Sequence, residues 1–157
     1  MDENLGMLEQ RRIEANVIKP IYERLKAEFG KDKAREVIGE AITEAAKGQA
    51  AELAASAGGQ PSLVTFRGIQ PLWTKGDALV IEDVAGKADE MNFNVTRCRY
   101  SEMYTEMGLG EIGDLLSCNR DAAFIEGYAP GVKFQRTQTL MGGASHCDFR
   151  YTAPAAE

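Results

Sequence analysis

Cysteine is scarce in this chain and histidine scarcer. Three cysteines stand twenty and twenty-nine residues apart, and His146 is the single histidine. An odd number of widely spaced thiols is no disulfide framework, and one imidazole allows no paired-histidine zinc spacing. No run approaches the roughly 18–20 apolar residues that a membrane helix needs. The opening MDENLGMLEQRR carries acidic residues and no apolar core, so it does not read as a secretory signal. Basic excess is also missing: 18 Lys and Arg against 24 Asp and Glu give a formal net charge of −6. That balance disfavours nonspecific binding to phosphate backbones. There is no glycine-rich phosphate loop after a strand and no Gly-x-Ser-x-Gly. The expected setting is a reducing cytoplasm, with neither nucleic acid nor membrane as partner.

What remains is ordinary globular material. The 157 residues are 44% hydrophobic and 27% charged, enough to build a core without disulfides or a structural metal. We expect one domain over 1–157, with a helical part at 1–57, a mixed part at 58–152 and a loose tail at 153–157. From Leu5 to Phe29 apolar residues recur at helical steps, and Ile13, Val17, Ile21, Leu25 and Phe29 make one stripe. Pro20 lacks an N–H and crowds the preceding turn, so a kink or break is expected near Lys19. Gly30 ends the segment. A second helix is expected from Asp32 to Ser56. Its alanine-rich end, Ala41 to Ala55, permits close helix approach, and on that ground a homo-oligomer is expected.

The character changes between Ala57 and Gly76, where AGGQPS signals a loop. Alternation then begins. Leu79, Ile81 and Val84 suggest one strand and Met91, Phe93, Val95 and Arg97 another, joined by a turn at Gly86-Lys87-Ala88-Asp89. On that alternation Cys98 falls on the side of Asn94 and Thr96. Helical spacing returns at Tyr100, Met103, Tyr104 and Met107, and again at Ile112, Leu115 and Leu116, ending at Ser117-Cys118-Asn119. A third short helix runs from Asp121 to Tyr128. A last hairpin is expected, Val132 to Met141 and Ser145 to Thr152, turning at Gly142-Gly143. The fold class is α+β: long N-terminal helices packed on an antiparallel sheet, with short helices inserted before a C-terminal hairpin.

Two places could hold chemistry. On the strand from Val132, Arg136 and Gln138 share a face with Phe134 and Leu140. A guanidinium and an amide on an apolar face need partners, whether a buried salt bridge or an anion gripped by two parallel bonds. On the following strand His146, Asp148 and Arg150 share one face while Cys147 and Phe149 share the other. Adjacent His and Cys therefore cannot simply pair as base and nucleophile. The second place is Cys118-Asn119-Arg120-Asp121, at a helix junction where free amides could bind an anion or lower a thiol pKa. Cys118, Asp121, His146, Cys147 and Asp148 are metal-ligand types, but their spacing is weak for zinc.

The stretch CRYSEMYTEMGLGEIGDLLSCNRDAAFIEGYAP, continuing through FQRTQTLMGGASHCDFRY, resembles the L-2-amino-thiazoline-4-carboxylic acid hydrolase family. The resemblance runs from about Asn92 to Tyr151. It rests on Cys118-x-x-Asp121, Arg136-Thr137-Gln138-Thr139, and Gly143 followed by Cys147-Asp148-Phe149-Arg150. It implies a hydrolase that opens a small cyclic C–N/C–S substrate to an N-carbamoyl-cysteine type of product. The ring carbon between nitrogen and sulfur is amidine-like and electrophilic. Its attack needs a nucleophile or an activated water, an acid for the leaving sulfur, and a cation for the substrate carboxylate. The implied catalytic set is Cys147, Asp148, His146, Cys118 and Asp121. Arg136 or Arg150 would hold the carboxylate, and Gln138 and Asn119 the exocyclic nitrogen. No cofactor is expected; zinc or manganese on the same Cys, Asp and His groups is the alternative, and a noncatalytic module for a small acid is another.

Overall fold

The computed structural model describes residues 5–56 and 60–155. Residues 57–59 of the expected loop and the last two of the expected tail lie outside the described residues. The order of elements is α1 (Met7–Phe29), α2 (Lys31–Ser56), α3 (Leu63–Ile69), α4 (Pro71–Thr74), β1 (Leu79–Val84), β2 (Glu90–Cys98), α5 (Arg99–Glu106), a π-helical turn (Asp114–Cys118), α6 (Asn119–Tyr128), β3 (Lys133–Gln135) and β4 (Cys147–Thr152). This is the expected α+β architecture. Local signals set several ends. Gly30 takes φ 87°, a left-handed value that a glycine adopts without cost, and separates α1 from α2. Ser62 and Thr65 form a reciprocal capping box at the start of α3.

Helix α1 runs through Pro20 without a break, so of the expected kink or break the break is absent. It also turns its aliphatic stripe outward: Ile13, Val17, Ile21 and Phe29 are between 49% and 61% exposed. The buried face is Arg11, Ala15 and Tyr22, with Leu8 and Ile18 half-buried beside them. Both stripes have helical spacing, so periodicity alone could not choose between them. The Tyr22 hydroxyl donating to Glu111 at 2.7 Å and the Arg11–Glu14 ion pair belong to the inward choice.

In the sheet the strands lie in the order β1-β2-β4-β3, every neighbouring pair antiparallel. One face is apolar. Met91, Phe93 and Val95 from β2 and Cys147, Phe149 and Tyr151 from β4 enter a core shared with α3 and α6. Phe93 and Phe149 are opposite each other in register and stack with ring centroids 4.8 Å apart. A second core joins α1, the first half of α2, α5 and the segment around Leu109 and Ile112.

Three further expectations are corrected. The β1–β2 register jumps between Val80–Arg97 and Ile81–Val95, leaving Thr96 as the extra residue of a bulge. The bulge reverses the alternation, so Arg97 is exposed and Cys98 packs against the core instead of lying with Asn94 and Thr96. The last hairpin is shorter than expected, β3 ending at Gln135 and β4 starting at Cys147. Its ladder stops because the Asp148 carboxylate accepts the amides of Thr137 at 2.8 Å and Gln138 at 3.0 Å. Finally, there is no break at Cys118. The π turn runs directly into α6, and Cys118 has helical φ/ψ of −56° and −40°.

The alanines of α2 face inward in part. Ala46 and Ala50 are buried, and Gly127 of α6 lies so close that a Cβ there would meet the Lys47 carbonyl oxygen at 2.7 Å and the Ala50 Cβ at 3.1 Å. Small residues thus permit a close approach within the chain itself. Gly127→Ala should destabilise the fold by about 1–2 kcal/mol, since a backbone clash outweighs the helix propensity gained. Val17→Ser, on the outward stripe, should stay within about 0.5 kcal/mol of the parent. Urea unfolding of both variants checks the pair, and equal losses would mean that α1 is rotated from this arrangement.

Candidate functional site

A cavity of about 530 Å³ lies between the inner face of the sheet and α2, α3, α4 and α6, with the start of α1 at its far end. Pockets of this size suit small molecules. Phe66, Trp73, Phe93, Phe124, Phe149 and Tyr151 supply its aromatic walls. They are held against each other, Trp73 meeting Phe124 edge-on at 5.0 Å and Phe66 meeting Tyr151 at 5.2 Å. Such walls suit a flat ligand.

Polar groups collect where α6 meets the segment after β3. Arg136 donates through Nη1 to Asp121 Oδ2 at 2.6 Å and through Nη2 to the Cys118 carbonyl at 3.0 Å. Its guanidinium also lies over the Phe149 and Phe134 rings, at 5.2 and 5.4 Å. Helical spacing puts Cys118 and Asp121 on one side of the chain, and the early end of β3 frees Arg136 to turn toward them. Asp121 lines the cavity and keeps 33% of its side-chain surface accessible, so a small molecule can reach a deeply placed carboxyl. Burial raises its pKa to about 6, against the opposing pull of Arg136.

All three cysteines line the cavity. Burial pushes the Cys118 thiol up to about 12, helped by the charge of Asp121. Burial raises Cys147 too, although the Leu140 amide donates to its Sγ at 3.2 Å and opposes the shift. Cys98 is raised by the same cause. Without a free helix N-terminus at Cys118, the feature expected to lower its pKa is missing. The thiols are protonated at neutral pH.

At the α1 end sit Arg11 and Arg120, 5% and 8% exposed. Glu14 holds Arg11 through both oxygens, at 2.8 and 2.9 Å, and accepts from Arg120 Nη2 at 3.2 Å. Both arginines line the cavity, as does Gln49. Sequence reasoning did not single out Arg11, Gln49 or the cavity position of Cys98. A signal existed for Arg120, which lies inside Cys118-x-x-Asp121, and for Arg11, which belongs to the second helical stripe of α1.

Of the residues singled out from sequence, Cys118, Asp121, Arg136 and Cys147 meet in this cavity. The other five are turned elsewhere. Asn119 donates to Gly39 O and Thr43 Oγ1 on α2. Gln138 donates to the His146 carbonyl at 3.0 Å, and His146 Nδ1 lies 2.9 Å from Ser145 Oγ. Asp148 holds the loop after β3. Arg150 donates to Phe93 O, Phe149 O and Asn94 Oδ1. The alternation of β4 separates the two sets, with Cys147 and Phe149 inward and Asp148 and Arg150 outward, as the spacing required. Among the described residues no three His, Cys, Asp or Glu side chains converge as a metal site.

Raised thiol pKa values slow alkylation, because only the thiolate reacts. At pH 8 iodoacetamide should label all three cysteines of the folded chain at least about tenfold more slowly than those of the unfolded chain. Peptide mass mapping reads each site separately. Rapid labelling of Cys147 at neutral pH would reveal a stabilised thiolate and overturn this picture of the site.

No helix among the described residues is long and apolar enough to cross a membrane. No curated protein matches the chain. Among solved structures it is similar to the phenol-responsive sensory domain of the transcription activator PoxR, crystallised with phenol. The TM-score is 0.53 at 10% identity, over 87% of this chain and 73% of that one. This likeness concerns the fold. The family described as L-2-amino-thiazoline-4-carboxylic acid hydrolase matches residues 10–151, taking in α1 and α2 as well as the segments where the resemblance was first visible. The chain belongs to the L-2-amino-thiazoline-4-carboxylic acid hydrolase family.

Proposed function

We propose that the chain is a hydrolase that opens a small heterocyclic acid of the aminothiazoline type inside this cavity. The observation that carries the reading is one meeting place: Cys147 and the Asp121–Arg136 pair line the same aromatic-walled cavity. A flat ring fits between such walls. Cys147 is protonated at neutral pH, so its attack requires a base, and Asp121, with a pKa near 6, is ionised there and able to accept the proton. The thiol sulfur bonds to the amidine-like ring carbon as its proton passes to Asp121. The carbon–sulfur bond of the ring then breaks, and the departing sulfur takes that proton. This leaves an isothiourea linked through sulfur to Cys147. Water adds to the same carbon, again giving a proton to Asp121, and Cys147 leaves as the thiol. The product is an N-carbamoyl cysteine, and the sum is addition of one water.

His146 and Asp148 act, in this reading, through the loop that brings Arg136 to Asp121. No metal is assigned a role. A second reading has specific support: the fold is shared with a sensory domain crystallised with phenol, and the thiols are not activated at rest. A noncatalytic module that binds a small acid uses the same walls. Incubation with 2-amino-2-thiazoline-4-carboxylate, followed by mass spectrometry, separates the two. A gain of one water in the ligand supports the hydrolase; saturable binding of an unchanged ligand supports the module.

For the hydrolase, Cys147→Ser should fold normally and lose at least about a hundredfold in kcat, a typical contribution of a catalytic group. Cys98→Ser should stay near the parent and Cys118→Ser should fall between. The sign of the pH dependence follows from Asp121 acting as base: kcat/KM should rise as pH increases through about 6 and the carboxyl loses its proton. Asp121→Asn should remove that limb together with most of the activity. A fully active Cys147→Ser chain would take the thiol out of the reaction and leave water as the attacking group.

A further inference from the structure

Arg136 was the natural candidate to hold a ligand carboxylate, but its two terminal nitrogens are already committed to Asp121 and to the Cys118 carbonyl. With Asp121 ionised, that end of the cavity is close to neutral. The α1 end is different. Arg11 and Arg120 bring two positive charges to one carboxylate, Glu14, and both arginines are buried. Leaving an excess charge out of water is costly. Arg120 is held on every side, by Leu116 O at 2.8 Å, Gln49 Oε1 at 3.3 Å and Glu14. Arg11 is not. Its Nη1 takes both oxygens of Glu14, and among the described residues Nε and Nη2 have no hydrogen-bond partner. Those two nitrogens form the edge of a guanidinium that receives a carboxylate by two parallel bonds. Arg11 lines the cavity.

We infer that Arg11, backed by Arg120, is the carboxylate subsite of the cavity, receiving the acid group of the ligand on its free Nε and Nη2 edge. The inference rests on the reading above that the cavity takes a small heterocyclic acid. A bound carboxylate supplies the second negative charge that Arg11 and Arg120 lack. Burial first, and then the charge of Arg11, lower the Arg120 pKa to about 10, the direction expected of two guanidinium groups sharing one carboxylate.

The test is calorimetric binding to the full chain carrying Cys147→Ser, so that turnover does not consume the probe. The probes are 2-amino-2-thiazoline-4-carboxylate and its decarboxylated analogue, 2-amino-2-thiazoline. The acid should bind about tenfold to a hundredfold more tightly than the analogue, the range of charged hydrogen bonds. Arg11→Met should erase that preference and leave the affinity for the analogue unchanged; it leaves Glu14 and Arg120 as a balanced pair, which favours folding. Arg11→Lys keeps the charge, loses the fork and should retain only part of the preference. Glu14→Gln removes the competing carboxylate and should tighten binding of the acid alone, giving a reading even if Arg11→Met does not fold. Equal binding of acid and analogue, a preference that survives Arg11→Met or Arg11→Lys in full, or no binding of the acid would overturn the inference. Ring opening is scored separately on the parent chain. An Arg11-dependent preference without turnover removes the hydrolase and keeps the subsite, and turnover without that preference does the reverse.

Discussion

The ion pair between Arg136 and Asp121 is the interaction around which this cavity is arranged. It ties the first turn of α6 to the segment after β3, so it closes one end of the space between the helices and the sheet. Arg136 is also stacked on Phe149 and Phe134, which joins the polar end to the aromatic walls. Removing one member of a buried pair strands the other, at a cost of about 3–5 kcal/mol. Because the two charges largely cancel, the pair brings no strong positive field to the nearby thiols. Burial then decides their state, and Cys118 and Cys147 are both raised.

Strand β4 divides labour between its faces. Inward, Cys147, Phe149 and Tyr151 make cavity wall. Outward, Asp148 receives the Thr137 and Gln138 amides and ends the β3 ladder, which is what lets Arg136 leave the sheet. Arg150 satisfies backbone carbonyls of Phe93 and Phe149. A motif that reads as one block, Cys147-Asp148-Phe149-Arg150, is therefore half cavity wall and half scaffold. Asp148 does not line the cavity, so a substitution there reaches it only through the loop that carries Arg136.

Much of this was legible in the sequence where a local rule governs. Alternation on β4 separated Cys147 from His146 and Asp148 correctly, and the β1–β2 hairpin and the two long helices followed from their periods. The errors have nonlocal causes. α1 carries two stripes of equal spacing, and what turns Arg11, Ala15 and Tyr22 inward is their partners, Glu111 for Tyr22 and Arg120 for the Arg11–Glu14 pair, far along the chain. The bulge at Thr96 appears only in the pairing with β1, and Cys98 moves to the cavity with it. The π turn hid the continuity of helix through Cys118, because Gly113 and polar residues there look like a boundary. Arg11 lies in a region without a recognisable motif, so only the packing of α1 against α2 and α5 brings it to the site.

The two ends of the cavity are electrostatically unlike, and this asymmetry constrains any ligand. At the α6 end the charges are matched, and burial raises the Asp121 pKa to about 6. At the α1 end two guanidinium groups share one carboxylate. An anionic group gains more at the second, where it restores balance, than at the first, where it must compete with Asp121 for Arg136. On the proposed reading, a ligand with an acid at one side of a flat ring would lie with the acid toward Arg11 and the ring toward Cys147 and Asp121. Arg11 and Arg120 already pull the Asp121 pKa down against its burial. An anion bound beside them weakens that pull, so ligand binding raises the Asp121 pKa and makes it a stronger base in the proposed reaction. On that reading, the subsite that orients the ligand also tunes the carboxyl that accepts the Cys147 proton.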